Sequence, residues 1–277
     1  MGLFYDYQSS GSGVAKDEKK HRIITFFEIF TRKFWKLIGV NLLYCLFCLP
    51  IVTIGPATSA MMKVLKNYSI EKHSFVFEDF WKAFKENFFK SLGFFAFYAL
   101  FIGGVVVGMC IYPEIAQTDD KYYILMAITA VVGVVLLMMS FFTFLMIPNI
   151  NLGFKEILKN SFILTVVSAK QSFLTVFLFL LIMAIPALLM AFVSFSFAVL
   201  YAFFPFSFAG FIVAFNLYPT IQKYIIDPYY DAKGQDNPEY DYLKPAGMED
   251  VAVFEDKGGE EAPVVKASKK KNKKTIS

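Results

Sequence analysis

Cys45 and Cys48 stand as a C-x-x-C pair, the spacing that metal-binding and redox sites use. Here the pair sits in an apolar stretch, has no second pair, and is followed by Leu49 where a haem-attachment site needs His. Cys110, the third cysteine, also lies in an apolar run. An odd cysteine count inside lipid does not build a disulfide framework, so all three read as packing residues. His21 and His73 are the two histidines, and neither has an evident Cys, Asp or Glu companion at ligand spacing. There is no phosphate-cradling Gly-rich loop, no G-x-S-x-G, and no pair of carboxylates on one helical face. The sequence therefore offers no catalytic, cofactor-binding or metal-ligating residue, and an enzyme is not expected.

What remains are polar side chains inside otherwise apolar runs: Asn41, Thr53, Thr58, Ser59, Asn149, Asn151 and Asn216. In a membrane such groups hydrogen-bond between helices. The stretch around Pro50 and Pro56 admits another use. A helix broken there frees backbone groups that a solute can meet. Asn41, Pro50, Thr53, Gly55, Pro56 and Thr58 are accordingly the candidate motif. Gly104 and Gly108 form a small-xxx-small pair that suits close helix packing.

The elements that must position these residues are legible from charge. The chain is 57% hydrophobic and 18% charged, against roughly 45–50% and 25% for soluble domains. Residues 37–62, 91–113, 122–154 and 171–222 carry no charge at all. Runs of this length are the mark of membrane-spanning helices. The 34 Phe residues suit a lipid-facing surface. A net charge of +4 is too small for a nucleic-acid binder. No secretory signal peptide is evident.

The expected organisation is a flexible N-terminal tail (1–21), a transmembrane helical domain (22–230) and a disordered charged C-terminal tail (231–277), which reads as a solvated tail; contact of its basic end, Lys269 to Lys274, with anionic headgroups is the alternative. Within the middle part, a first span over 36–50 stops at Leu49-Pro50. A break over 50–56 follows, and a short helix over 57–70 starts at Pro56. An amphipathic helix over 75–90 shows Phe77, Phe80, Trp81, Phe84 and Phe88 at helical spacing. Spans are expected over 91–112, 122–147, 171–193 and 197–222, with a turn from Pro113 to Lys121 and a second interfacial helix over 152–168. A faint internal repeat links Leu49-Pro50 through Lys66-Asn67 with Ile147-Pro148 through Lys159-Asn160.

The fold class is thus all-α: a polytopic transmembrane bundle of about six membrane segments, the first two a Pro-broken hairpin, with amphipathic interfacial helices. The alternative reads 36–62 as one span and has five segments. The positive-inside rule favours six, because five would place Lys16, Lys19, Lys20, Arg22, Arg32, Lys33 and Lys36 outside. A multi-pass protein of the cell membrane with both termini cytoplasmic follows. The weak point is the second segment, whose 14 or so residues reach only about 21 Å across a 30 Å core. It reads as a short or re-entrant helix.

Asn41-Leu42-Leu43 and the run Leu49-Pro50-Ile51-Val52-Thr53-Ile54-Gly55-Pro56-Ala57-Thr58 resemble the YesL-like family of bacterial membrane proteins, a family with a domain of unknown function. Phe77 to Phe88, Phe154 to Phe162 and Tyr224 to Tyr230 continue the likeness, which spans residues 22–230. The Cys45/Cys48 pair and the long charged tail depart from it. The resemblance implies a Gram-positive-type bacterial membrane and an association with carbohydrate uptake. It carries over no catalytic residue. Membrane lipids and ABC transporter subunits are the partners expected, nucleic acid is not, and an independent small-solute transporter or channel is the competing reading.

Overall fold

The computed structural model describes residues 22–117, 119–235 and 237–240; the N-terminal tail, His21 and most of the charged C-terminal tail, with Lys269 to Lys274, lie outside these. Among the described residues every regular element is helical. Ten α-helices run in chain order: α1 (Arg22–Phe47), α2 (Ile54–Ser69), α3 (Val76–Glu86), α4 (Phe88–Ala116), α5 (Lys121–Met146), α6 (Phe154–Val167), α7 (Ala169–Phe192), α8 (Leu200–Phe203), α9 (Pro205–Ile221) and α10 (Asp227–Lys233).

Three helices, α4, α5 and α7, are long and apolar enough to cross a bilayer, and α8 with α9 make a fourth candidate bent by 46°. Neither α1 nor α2 meets that test. The first half of α1 carries Arg22, Glu28, Arg32, Lys33 and Lys36, so its uncharged part is short. The 16 residues of α2 reach only about 24 Å.

α1 and α2 nonetheless form the hairpin that the prolines announce. Tyr44 meets Thr58 at 3.3 Å, Lys33 lies 5.4 Å over the Tyr68 ring, and Arg32 pairs with Glu71 at 2.7 Å. Partners rise along α2 as they fall along α1, so the helices are antiparallel. The break runs from Cys48 to Thr53, a little before the expected 50–56. Thr53 closes it, its hydroxyl donating to the Phe47 carbonyl at 2.5 Å and the Pro50 carbonyl at 2.6 Å. A 3-10 turn over Ile51–Thr53 leads directly into α2, placing Pro56 in the first helical turn, where its missing N–H costs nothing.

α2 is the hub of the molecule. It packs against α1, α3, α4, α5 and α9, and nearly every residue from Gly55 to Tyr68 is buried. Two glycines admit this density. At Gly55 a Cβ would stand 2.5 Å from the Phe95 Cβ and 2.7 Å from the Ser91 carbonyl of α4. Gly210 of α9 does the same for Leu65, Met61 and Met62. Beside the hub, Tyr98, Thr143 and Ser161 join α4, α5 and α6 through two buried hydrogen bonds of 2.8 Å. Phe26, Phe30 and Phe34 of α1 pack on Phe204 at the α8–α9 break and on Phe208, Phe211 and Phe215 of α9.

Several boundaries differ from the sequence expectation. Pro113 lies inside α4, not at the start of a turn. It falls in the last helical turn, so little helix follows for it to disrupt. The amphipathic helix ends at Glu86, with Phe80 and Phe84 buried against Phe47 while Phe77 stays exposed. The last apolar run is not one straight helix over 197–222. It turns through a 3-10 segment at Phe195–Val199, passes α8, breaks at Phe204 and resumes at Pro205. Proline starts α9 but cannot donate the hydrogen bond that would continue α8.

One end of the bundle gathers the end of α2, the α5–α6 loop and the segment after α10. Lys63 reaches the Pro148 carbonyl at 3.1 Å, and Lys66 pairs with Glu239. The connections α4–α5 and α7–α8 turn at the far ends of those helices.

The tight packing at Gly55 gives a direct test. Gly55→Ala is expected to destabilise the protein by about 1–3 kcal/mol through overpacking. Gly104→Ala, where nothing lies within 4 Å of the added Cβ, is expected to change little. Thermal unfolding of the two purified variants in one detergent checks the contrast.

Candidate functional site

The candidate motif resolves into two structural tasks. Pro50, Thr53, Gly55, Pro56 and Thr58 build the hairpin and seat α2. Pro50 starts the 3-10 turn, and Thr58 returns its hydroxyl to the Ile54 carbonyl at 2.7 Å. Asn41 does something different. It is fully buried and holds the α8–α9 break together. Its Nδ2 donates to the Ala202 carbonyl at 2.7 Å and the Tyr201 carbonyl at 2.9 Å, while its Oδ1 accepts from the Ser207 N–H at 2.9 Å. The Tyr201 carbonyl would ordinarily accept from residue 205, which is proline and has no N–H. The carboxamide thus replaces helical bonds that the break removes, in a region where each orphaned group costs several kcal/mol.

The C-x-x-C pair takes part only at the margin. Cys45 is free and lies 3.7 Å from Asn41 Nδ2 and 3.6 Å from the Tyr201 carbonyl. Among the described residues no group of three or more His, Cys, Asp or Glu is placed to hold a metal ion. Gly104 faces open space, whereas a Cβ at Gly108 would stand 3.3 Å from the Thr129 methyl of α5. The closer α4–α5 contact is at Gly133, where a Cβ would meet Val105 at 2.7 Å, a residue pair that small-xxx-small spacing does not reveal.

The ionisable cluster lies elsewhere, at the last two turns of α2. Lys63 donates to the Asn149 Oδ1 and the Pro148 carbonyl, each at 3.1 Å. Lys66, almost wholly buried, pairs with Glu239 and stands 4.7 Å over the Tyr218 ring. The Tyr218 hydroxyl donates to the other Glu239 oxygen. Glu239 is held in turn by a short strap: its N–H donates to Asn237 Oδ1 at 3.0 Å, and Asn237 and Tyr240 both donate to Asp227 at the start of α10. Gly234, at φ 64°, ends α10 in the left-handed conformation and turns the chain back. The sequence reading placed residues 231–240 in the charged tail; the structure puts Asp231–Lys233 in α10 and Glu239 against α2. A cavity of about 500 Å³ opens beside the cluster, with Asn149, Lys72 and Glu239 in its wall.

Buried Lys66 takes the Glu239 carboxylate, while half-buried Lys63 is bonded to Asn149 and the Pro148 carbonyl. Burial first, then the nearby Lys66 and Lys72 charges, pushes the Lys63 ammonium down from 10.5 to about 8. Burial also lowers Lys66, and Glu239 opposes that effect. The arrangement suits an anchoring salt bridge with a proton-labile neighbour.

Lys66→Met is expected to cost about 3 kcal/mol by stranding the Glu239 charge, and Lys66→Met with Glu239→Gln together is expected to recover part of it. The Lys63 shift has a distinct signature. Its folded pKa is below the unfolded value, so the unfolded chain binds the proton more tightly. Stability therefore rises as the pH climbs from about 8 toward 10.5, and Lys63→Met is expected to remove that rise. Unfolding measured across this pH range in wild type and variant reads the difference.

No curated protein and no solved structure matches the chain. Residues 37–109, which hold the end of α1, the whole of α2 and α3 and most of α4, match a family described as protein of unknown function, DUF624.

Proposed function

We propose that this protein is a non-catalytic accessory or scaffold subunit of the cell membrane, acting beside a carbohydrate-uptake system of the ABC transporter kind. The YesL-like resemblance supports the association with carbohydrate uptake. The observation that carries the scaffold reading is how the motif residues are spent. Asn41, Thr53 and Thr58 all bond within the bundle, so the break at 48–53 offers protein contacts in place of a solute path. Meanwhile α3 leaves Phe77 and Trp81 uncovered beside Glu78, Lys82 and Lys85, a mixed surface suited to a protein partner.

In this reading α1 and α2 enter and leave the membrane as a re-entrant hairpin, making about six membrane segments with the four spans. An even number of crossings agrees with Lys66 and Glu239, on either side of the four spans, meeting at one end. That end carries Lys63, Lys66, Lys72, Lys90, Lys155 and Lys223, whereas the α4–α5 turn carries Lys121 beside Asp119 and Asp120. The positive-inside rule makes the lysine-rich end cytoplasmic, with both termini there.

The bent α8–α9 pair favours the transporter or channel as a second reading, because broken helices line substrate sites in transport folds.

Cross-linking in native membranes followed by affinity purification is expected to recover ABC transporter subunits, and to lose them in Phe77→Ala, Trp81→Ala. Repeated recovery of none, together with solute flux in proteoliposomes, would move the assignment to the second reading. With the native cysteines replaced, Lys121→Cys is expected to react with an impermeant reagent in intact cells, and Lys155→Cys only after the cells are opened.

A further inference from the structure

A second cavity, of about 560 Å³, lies at the feet of α7 and α9, away from the α2 lysines. Arg22, Lys170 and Lys223 line it, and of the described residues no Asp or Glu does. Among the described residues no ion pair involves any of these three cations. Arg22 is aimed by its own bonds. One guanidinium nitrogen donates to the Phe215 carbonyl at 2.8 Å and the Asn216 carbonyl at 3.3 Å, which fixes the group at the rim of α9. Thr220 donates to Gln171 Oε1 at 3.0 Å, bracing the two helices across the cavity floor. Val166, Pro219 and Tyr224 supply an apolar wall.

The three cations come from α1, α7 and the turn after α9, and among the described residues no carboxylate lines the space they face. The cavity also sits where α7 begins and α9 ends, which is the depth of lipid headgroups. A planar guanidinium and two ammonium groups match a phosphate with several acceptor oxygens. Basic pockets between membrane helices hold anionic headgroups in this way.

We propose that the Arg22–Lys170–Lys223 cavity is a phosphate-binding site, occupied by the phosphodiester of an anionic phospholipid or by a free phosphate group. The site ties the N-terminal end of α1 to the α7 and α9 feet through a bound anion.

Native mass spectrometry of the detergent-purified full chain tests this with three probes: phosphatidylglycerol, phosphatidylcholine and inorganic phosphate. Phosphatidylglycerol is expected to remain bound where phosphatidylcholine does not. Removing a charge weakens binding about fivefold, so Lys223→Gln is expected to lose about fivefold and Lys170→Gln/Lys223→Gln about 25-fold. Lys155→Gln/Lys159→Gln on α6, which keeps the cavity but removes equal charge, is expected to stay within about twofold, well short of one cavity charge. Inorganic phosphate displacing the lipid identifies the free anion as a source, and failure to displace it identifies the lipid. Equal retention of phosphatidylglycerol by wild type and both cavity variants, or an equal loss in the α6 control, overturns the site.

Discussion

A break in a helix inside a bilayer must find partners for the backbone groups it frees, and in this protein one side chain finds them. Pro205 cannot donate to the Tyr201 carbonyl, and the turn at Phe204 takes the Ser207 N–H out of its helical register. Asn41 offers two donors and an acceptor in one planar group, and uses all three functions on Tyr201, Ala202 and Ser207. The consequence spreads outward. With α1 fastened to the break, the Phe26–Phe30–Phe34 side of α1 packs on α9, the hairpin returns along α2, and α2 becomes the buried centre. The three long apolar helices and the bent α8–α9 pair then stand around a short helix that is not itself long enough to cross.

The polar economy of the two ends of α2 is different. At its start, hydroxyls and a glycine let helices approach without charge. At its end, Lys63 and Lys66 enter the interior and need Asn149, Tyr218 and Glu239 to accompany them. Burying an ion pair gains little stability on balance, yet breaking one is costly. Such a pair is better suited to fixing which segments meet. Here it fastens the strap beyond α10 to the hub across a long stretch of chain.

Much of this was readable from residue order, for physical reasons. The α4, α5 and α7 helices sit in charge-free runs bounded by Lys or Glu, and an apolar run of this length satisfies its backbone in lipid as a helix, so their existence follows from composition. The hairpin break was readable because Pro50 falls within it and Pro56 in the first turn of the helix that follows. The break at Phe204 was not, because Pro205 begins a helix as readily as it ends one and the surrounding run is uniformly apolar. Asn41 was visible as a polar residue in an apolar run, but its partners lie some 160 positions away, beyond any local pattern. The same holds for Lys66 and Glu239, since Glu239 sits in a stretch whose composition reads as solvated tail. Gly104 shows the converse: a spacing that predicts contact, on a face where this chain makes none.

The most direct measurement is amide hydrogen exchange of the segment from Val199 to Phe208, compared between wild type and Asn41→Leu in the same detergent. If Asn41 holds the broken span, the variant exchanges this segment far faster while α4 and α5 keep their protection, and overall stability falls by about 2–4 kcal/mol for the three bonds lost. Unchanged exchange across Val199 to Phe208 with unchanged stability would contradict the account, because the break would then be satisfied without the carboxamide.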